Sequence, residues 1–228
     1  MQDAAGRGHS QFDRTNLYEK LYANHSYHSD PKITHALPMI AALLAPAFGG
    51  RAQSTRVLDV GCSHGAGVQH LWELGFRASG VDLAPTAVAM ATRLRVPRQG
   101  SESCGAEGEA CFKQGSAAAI PWPNASFDAI LSTDVLEHVP VELVPTVVDE
   151  FTRVARAALF LVIALNPEGQ KTNLGVLHET VEPADWWRSR FEGDGLWNCS
   201  TSTHVTSRMH RLYNTWLHCD RHARRRPG

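Results

Sequence analysis

Charge of one sign is missing from this sequence: 22 lysines and arginines stand against 23 aspartates and glutamates, a formal net charge of -1. No global field therefore draws the chain onto nucleic acid or anionic lipid. Long hydrophobic runs are missing too. No segment approaches the roughly 18 apolar residues that a membrane-spanning helix needs, and the opening MQDAAGRGHSQFDRTN lacks the apolar centre of a signal peptide. The expectation is a soluble, cytoplasmic protein without a membrane partner. Cysteine is sparse, five in all and an odd number, with no CxxC pair. That argues against a disulfide framework and a cysteine zinc site, and it fits a reducing compartment. His25, His28 and His35 arise on separate turns without supporting carboxylates, so no metal is expected. Internal repeats and a second composition zone are also absent, and 228 residues at 43% hydrophobic content read as one domain with a full core.

What is present is an alternation of short apolar strands and amphipathic helices. Residues 12–46 read as helical, with Asp30 then Pro31 a helix start, and residues 1–50 form an N-terminal helical cap. RVLDVG at 56–61 reads as a buried parallel strand, followed by a helix at 67–75, a strand at 78–83 and a helix at 84–95. A short strand at 111–116, a strand at 127–134, a helix at 141–155 and a strand at 157–165 continue the pattern. PRQGSESCGAEGEA at 97–110 has no periodicity and reads as a surface loop. Beyond a short helix at 184–191, LWNCSTSTHV and RMHRLYNTWLHC read as an antiparallel edge hairpin. The fold class is α/β: a doubly wound, Rossmann-like, seven-stranded, mostly parallel sheet with an antiparallel C-terminal edge hairpin. Residues 55–145 form its cofactor-binding core and 157–220 an acceptor-side half, and 221–228 is a basic tail, solvated or touching an acidic partner.

The loop RVLDVGCSHGAG at 56–67 carries the chemistry. Its glycines read GxxxGxG where a dinucleotide fingerprint requires GxGxxG, and Asp59 stands two residues before the first of them. A carboxylate there repels phosphate and suits a cation, while the bared backbone and the following helix N-terminus offer N–H donors. Asp82, ending the second strand, is placed to accept hydrogen bonds from two ribose hydroxyls. A ribose, no phosphate and a positive charge describe S-adenosyl-L-methionine.

On VLDVGCSHGAG, GVDLA and IPWPNASFDAILSTDVLEHVP, in that order and spacing over residues 55–145, the chain resembles the class I S-adenosylmethionine-dependent methyltransferases. Within them it is similar to the small-molecule branch that includes ubiquinone-biosynthesis O-methyltransferases. The resemblance implies that Asp59, Gly61, Ser63 and Gly65 lie against the methionine moiety, that Asp82 holds the ribose and that Leu83 packs on the adenine. It further implies that Gly115, Ser116 and Ala117 meet the adenine edge and that Thr133 and Asp134 flank the ligand. Ser63 stands where the family usually has glycine and Ser116 where aspartate is commonest. The serine hydroxyl in place of the second carboxylate costs about 1 kcal/mol of binding.

A sulfonium is an excellent leaving group, so alignment of the acceptor matters most. For a hydroxyl acceptor a general base helps, and two histidines are candidates. His138, in VLEHVP, follows the fourth strand and is read as base or as packing and capping; Glu137 beside it is weighed as its orienter. His178 follows the fifth strand and is read as an acceptor contact. Trp186 and Trp187, with Tyr18, Tyr22 and Tyr27, are weighed as an aromatic sandwich for the acceptor against a core role. The expected activity is methyl transfer to a small molecule, O-methylation first. The alternatives are a catalytically silent cofactor- or partner-binding protein and an RNA methyltransferase; STDV lacks the NPPY-type signature of nucleic-acid N-methylation, which disfavours the latter.

Overall fold

The apolar stretch Arg56–Val60 forms strand β1, buried at all but its first residue, as aliphatic side chains must be when both faces of a parallel sheet are covered. The computed structural model describes residues 9–23, 44, 47–94, 104, 110–167, 177–207 and 212–222. In chain order these give α1 (His9–Ala23), β1, α2 (Ala66–Glu73), β2 (Arg77–Asp82), α3 (Pro85–Ala91), β3 (Phe112–Gln114) and β4 (Phe127–Thr133). Then follow α4 (Val144–Val154), β5 (Ala155–Ala164), α5 (Ala184–Glu192), β6 (Trp197–Ser207) and β7 (Leu212–Arg221). The seven strands make one sheet ordered β3-β2-β1-β4-β5-β7-β6. β1 to β5 pair in parallel, and β7 runs antiparallel between β5 and the edge strand β6. This is the doubly wound sheet with an antiparallel edge hairpin that the alternation predicts.

Strand alternation divides the core in two. Leu58, Ile130, Leu159, Leu161 and Leu217 join the side that α4 and α5 cover, while Val57, Ala129, Leu131 and Phe160 join the side of α2, Leu44 and Phe48. Helix α4 shows why it docks: Val144, Val147, Val148, Phe151 and Val154 are buried at three- and four-residue spacing, one stripe of a 3.6-residue repeat. At ~2 kcal/mol per buried side chain the stripe contributes on the order of 10 kcal/mol before chain entropy is set against it. A polar clamp fixes the loop 120–124 to the same helix. The Arg153 guanidinium donates to Ile120 O (2.9 Å), Trp122 O (2.8 Å), Asn124 Oδ1 (3.1 Å) and both Glu150 oxygens, and Glu150 accepts the Ile120 N–H at 2.7 Å.

Several boundaries differ from the sequence reading. The strand expected at 111–116 closes at Gln114 because Ser116 starts a tight turn, its carbonyl accepting from Ala119 N–H at 2.9 Å. The helix expected from 141 begins at Val144, since Val141–Leu143 is a 3-10 turn after Pro140. Arg221 belongs to β7 and not to a tail: its guanidinium donates to Ala155 O at 2.6 Å and lies 5.3 Å from the Trp197 ring centroid. Residues 223–228 of that tail, most of the 97–110 loop, His25, Tyr27, His28 and His35 lie outside the described residues.

The cysteines correct the sequence reading. Cys199 and Cys219, paired across β6 and β7, form a disulfide, as do Cys104 and Cys111; Cys62 is a buried free thiol. Strand register and loop return bring these pairs together, which spacing along the chain does not reveal. The thiol argument for a reducing compartment does not survive. Among the described residues no helix is long and apolar enough to cross a membrane.

The Arg153 clamp is testable by denaturant titration. Arg153→Met keeps the aliphatic stem and removes every donor, and the expected loss is ~2 kcal/mol with an unchanged slope, from hydrogen bonds to a carboxylate and to otherwise unmatched carbonyls. A stability equal to wild type would remove the clamp from the fold's supports.

Candidate active site

The strand order reverses between β1 and β4, and a cavity of about 210 Å³ opens there at the carboxyl ends of β1, β2 and β4, the place where open α/β sheets bind ligands. Asp59, Gly61, Ser63, Asp82, Leu83, Gly115, Ser116, Ala117, Thr133, Asp134 and His138 all line it. Gly65 does not. It precedes α2 at φ +87°, and a side chain there would meet Leu94, Ala91 and Phe112, so it sets how the helix approaches the sheet.

The loop between β1 and α2 turns on left-handed residues. Gly61 has φ +79°, and a Cβ there would collide with Val135. Ser63 has φ +51°, which explains physically why glycine suits this position: a serine in that region costs about 1 kcal/mol. The strained turn aims the Ser63 N–H at Asp82 Oδ2, 2.8 Å away, while Ala84 N–H donates to Oδ1 at 2.9 Å. Asp82 is thus held by backbone at both oxygens, and lone pairs remain for further donors. Asp134, at the cavity rim, also has left-handed φ, +52°.

Two buried carboxylates share this edge. Burial first, and then the charge of Asp82, pushes Asp59 from the ordinary 3.8 to about 7. Asp82 is raised as well by burial, against the pull of its backbone donors. A side chain on Gly67 would collide with Asp59 Oδ2, so the first turn of α2 is glycine where the carboxylate lies against it. The same burial and both carboxylates push the Cys62 thiol well above its usual range, which leaves it a protonated, poor nucleophile.

The far end of the cavity is assembled from three distant segments. Helix α1 brings Arg14, Tyr18 and Tyr22 to the lining. Glu19 anchors it by accepting from Thr86 N–H (2.8 Å) and Oγ1–H (2.6 Å) at the start of α3. Arg14 donates to His138 O at 2.8 Å and pairs with Glu179. Segment 177–180 is stitched to 137–139: Glu179 and Thr180 N–H donate to Glu137 O (2.7 and 3.0 Å), and Thr180 Oγ1–H donates to Val139 O at 2.6 Å. His178 does not line the cavity but packs edge-on to His138, ring centroids 4.9 Å apart. The His138 ring is oriented by Leu177 O, 3.0 Å from Nδ1, and not by Glu137, whose Oε1 accepts Ala164 N–H at 3.3 Å. Burial is the main cause that lowers His138 to about 4, and the neighbouring His178 and Arg14 add to it. Trp187 is fully buried, and Trp186 packs on the core with Arg190 over its ring, so neither tryptophan lines the cavity. The sequence reading missed Arg14; its partners lie more than a hundred residues away and no local motif marks it.

Residues 58–163 match the family profile described as a methyltransferase domain. Over those residues the chain is similar to S-adenosylmethionine-dependent methyltransferases. Its relatives include 2-methyl-6-phytyl-1,4-hydroquinone methyltransferase of Synechocystis sp., 26% identical over 71% of this chain and 51% of that protein. Ajmaline N-methyltransferase of Rauvolfia serpentina is 25% identical over 66% of this chain and 49% of that protein, and ubiquinone biosynthesis O-methyltransferase of Methylocella silvestris is 32% identical over 38% and 31%. The chain spans between about a third and about a half of the length of these relatives. Among solved structures, magnesium protoporphyrin IX methyltransferase from Synechocystis PCC 6803 with bound S-adenosylmethionine superposes at a TM-score of 0.59. Its identity is 19%, and the match covers 94% of this chain and 92% of that one. That likeness is one of fold.

The carboxylate pair carries a pH signature in the ligand-free protein. Asp59 keeps its proton to about pH 7 when folded and loses it near 3.8 when unfolded. Unfolding therefore releases a proton between those values, and the stability from this group, full below pH 3.8, is lost as pH rises through 7. At about 1.4 kcal/mol per pH unit the effect reaches at most ~4 kcal/mol. Asp59→Asn is expected to unfold later in urea than wild type at pH 8 and to flatten the profile between pH 5 and 8; identical profiles would disprove the buried titration.

Proposed function

We propose that this chain transfers the methyl group of S-adenosyl-L-methionine to an oxygen of a small molecule. The observation that carries the reading is the pairing of two buried carboxylates with bared loop amides at the strand-order reversal. Such an edge repels a pyrophosphate and attracts a sulfonium and an ammonium. Among the described lining residues Arg14 is the one permanent cation, and its charge faces Glu179. Asp59, Gly61 and Ser63 would hold the methionine moiety, Asp82 the ribose hydroxyls, Leu83 the adenine face and Ser116 with Ala117 its edge, while Thr133 and Asp134 flank the ligand. When bound, the cofactor supplies an electrophilic methyl group on a leaving group that departs as a neutral thioether.

The chain's residues do the rest. Tyr18 and Tyr22 on α1 exclude water from the cavity, which keeps the electrostatics of the two carboxylates strong. A carbonyl only accepts, so Leu177 O fixes the proton of His138 on Nδ1 and leaves Nε2 as an acceptor for the hydroxyl to be methylated. An acceptor nitrogen at that wall favours oxygen methylation over an amine that needs no orientation of a proton. A small-molecule acceptor also agrees with a net charge of -1, which offers nucleic acid no counter-field.

Titration calorimetry with S-adenosylmethionine tests the cofactor assignment. Binding in the micromolar range is expected, weakened at least tenfold by Asp82→Ala, since two hydrogen bonds to a charged group carry about 1.5–3 kcal/mol each. Unchanged affinity in the variant would refute the role of Asp82. Methyl-labelled cofactor incubated with fractionated small-molecule and RNA extracts tests the acceptor: label is expected in the small-molecule fraction. Label that stays on the cofactor would mark a silent binding module, and label in RNA would mark the wrong acceptor class.

A further inference from the structure

Methyl transfer, as described, gives no task to Arg14, the one permanent cation among the described residues that line the cavity. Its guanidinium donates through Nη1 to His138 O at 2.8 Å, while Nη2 pairs with the carboxylate of Glu179. We infer that this guanidinium binds a carboxylate on the methyl acceptor and that Glu179 yields its place to it. The acceptor is then a hydroxy acid, its carboxylate on Arg14 and its reacting hydroxyl on His138.

Four observations carry the inference. First, a guanidinium presents its N–H groups in a rigid plane that suits a carboxylate, and Nη2 already holds one. Second, Glu179 leaves at little cost. Its side chain is 35% exposed against 18% for Arg14, and an ion pair that open to water contributes little. Its segment is held without that side chain: Glu179 and Thr180 N–H donate to Glu137 O, and Thr180 Oγ1–H donates to Val139 O. An incoming carboxylate therefore keeps the more buried guanidinium paired and returns Glu179 to water. Third, Arg14 is tied to the residue that meets the hydroxyl. It holds the His138 carbonyl, while Leu177 O fixes the His138 proton on Nδ1 and leaves Nε2 to accept. Both recognition points thus belong to one turn. Fourth, the cavity's charges are segregated. Asp59, Asp82 and Asp134 line it where β1, β2 and β4 end, and Arg14 lines it from α1. That field draws the anionic group of an acceptor to Arg14 and turns the rest of the molecule toward the strand ends. Val139, Leu143 and Val147 also line the cavity and suit an apolar body between the two polar groups.

The fate of the hydroxyl rests on the methyl-transfer reading; the carboxylate subsite does not. In the transfer a lone pair of the hydroxyl oxygen forms the bond to the methyl carbon, the carbon–sulfur pair passes to sulfur, and the hydroxyl proton goes to His138 Nε2 and then to water. The carboxylate enters none of these steps and leaves unchanged in the product, so its part is recognition. The subsite also rejects two neighbouring chemistries. An ester of the same shape has no charge with which to displace Glu179, and a phosphate ester brings nearly two charges past the carboxylates at the strand ends.

The test uses the full chain, with and without S-adenosylhomocysteine, and a panel of hydroxybenzoic and hydroxycinnamic acids. Each acid is run beside its methyl ester, phenyl phosphate serves as the phosphate arm, and affinities are read by ligand-observed nuclear magnetic resonance. At least one acid is expected to bind at least tenfold more tightly than its ester. Arg14→Gln is expected to erase that preference, and Glu179→Gln to raise acid affinity at least threefold because no internal carboxylate competes. S-adenosylhomocysteine affinity should stay within about threefold of wild type in both variants; if Arg14→Gln loses it, Glu179→Gln decides alone. No acid bound, equal affinity for acids and esters, tighter binding of phenyl phosphate than of every acid, or an acid preference that survives Arg14→Gln would overturn the subsite. With methyl-labelled S-adenosylmethionine and a bound acid, label is expected in an ether stable to mild alkali, and label in an alkali-labile methyl ester would overturn the recognition role. An acid preference that depends on Arg14, in a chain that fails to bind S-adenosylhomocysteine, would uphold the subsite and remove the methyl-transfer reading instead.

Discussion

Two carboxylates buried against each other at one sheet edge are the constraint around which this molecule is arranged. Asp59 lies one residue before the end of β1 and Asp82 ends the neighbouring β2, both almost fully buried, and desolvation, with the charge of Asp82 acting on Asp59 and that of Glu19 on Asp82, makes ionising them costly. A fold tolerates such a pair only if the backbone around it is rigid and rich in donors. The left-handed turn through Gly61 and Ser63 supplies that: it brings one N–H onto Asp82, and both carboxylates line the cavity. Under the proposed function, the stability lost to the buried charges would be returned by a cation entering the cavity, which would favour a positively charged ligand over a phosphate.

The cavity has two unlike ends, and that asymmetry follows from where each is built. The carboxylate end lies within 25 consecutive residues of strand, loop and strand and draws its rigidity from parallel pairing on both sides of β1. The imidazole end is a convergence of α1, the turn after β4 and the segment 177–180, joined by side-chain-to-backbone bonds spanning up to 124 residues. The relatives that this chain resembles bear both O- and N-methyltransferase names.

The apolar strand runs, the helix periodicity and the glycine-and-aspartate loop were legible because each is written in residues close in sequence. Ser63 and Asp82 are an example: the serine breaks the glycine pattern, yet its positive φ follows from the same turn the glycines announce. Element ends were less legible, since tight turns at Ser116 and Pro140 depend on hydrogen bonds that local composition does not specify. Trp186 and Trp187 looked alike in sequence, and only helix packing sent one fully into the core and left the other partly covered.

By itself, then, the amino-acid order determined the layer architecture, the strand–helix alternation and the identity of the carboxylate end, because periodicity and short loops act within a turn or two of chain. Only the tertiary structure decided that Cys199 meets Cys219, that Arg14 reaches His138 and Glu179, and that His178 stands beside His138. Those contacts are set by strand register and by the docking of distant segments. Their energies come from burial and from hydrogen bonds closed across long loops, which leave no periodic trace in the chain that forms them.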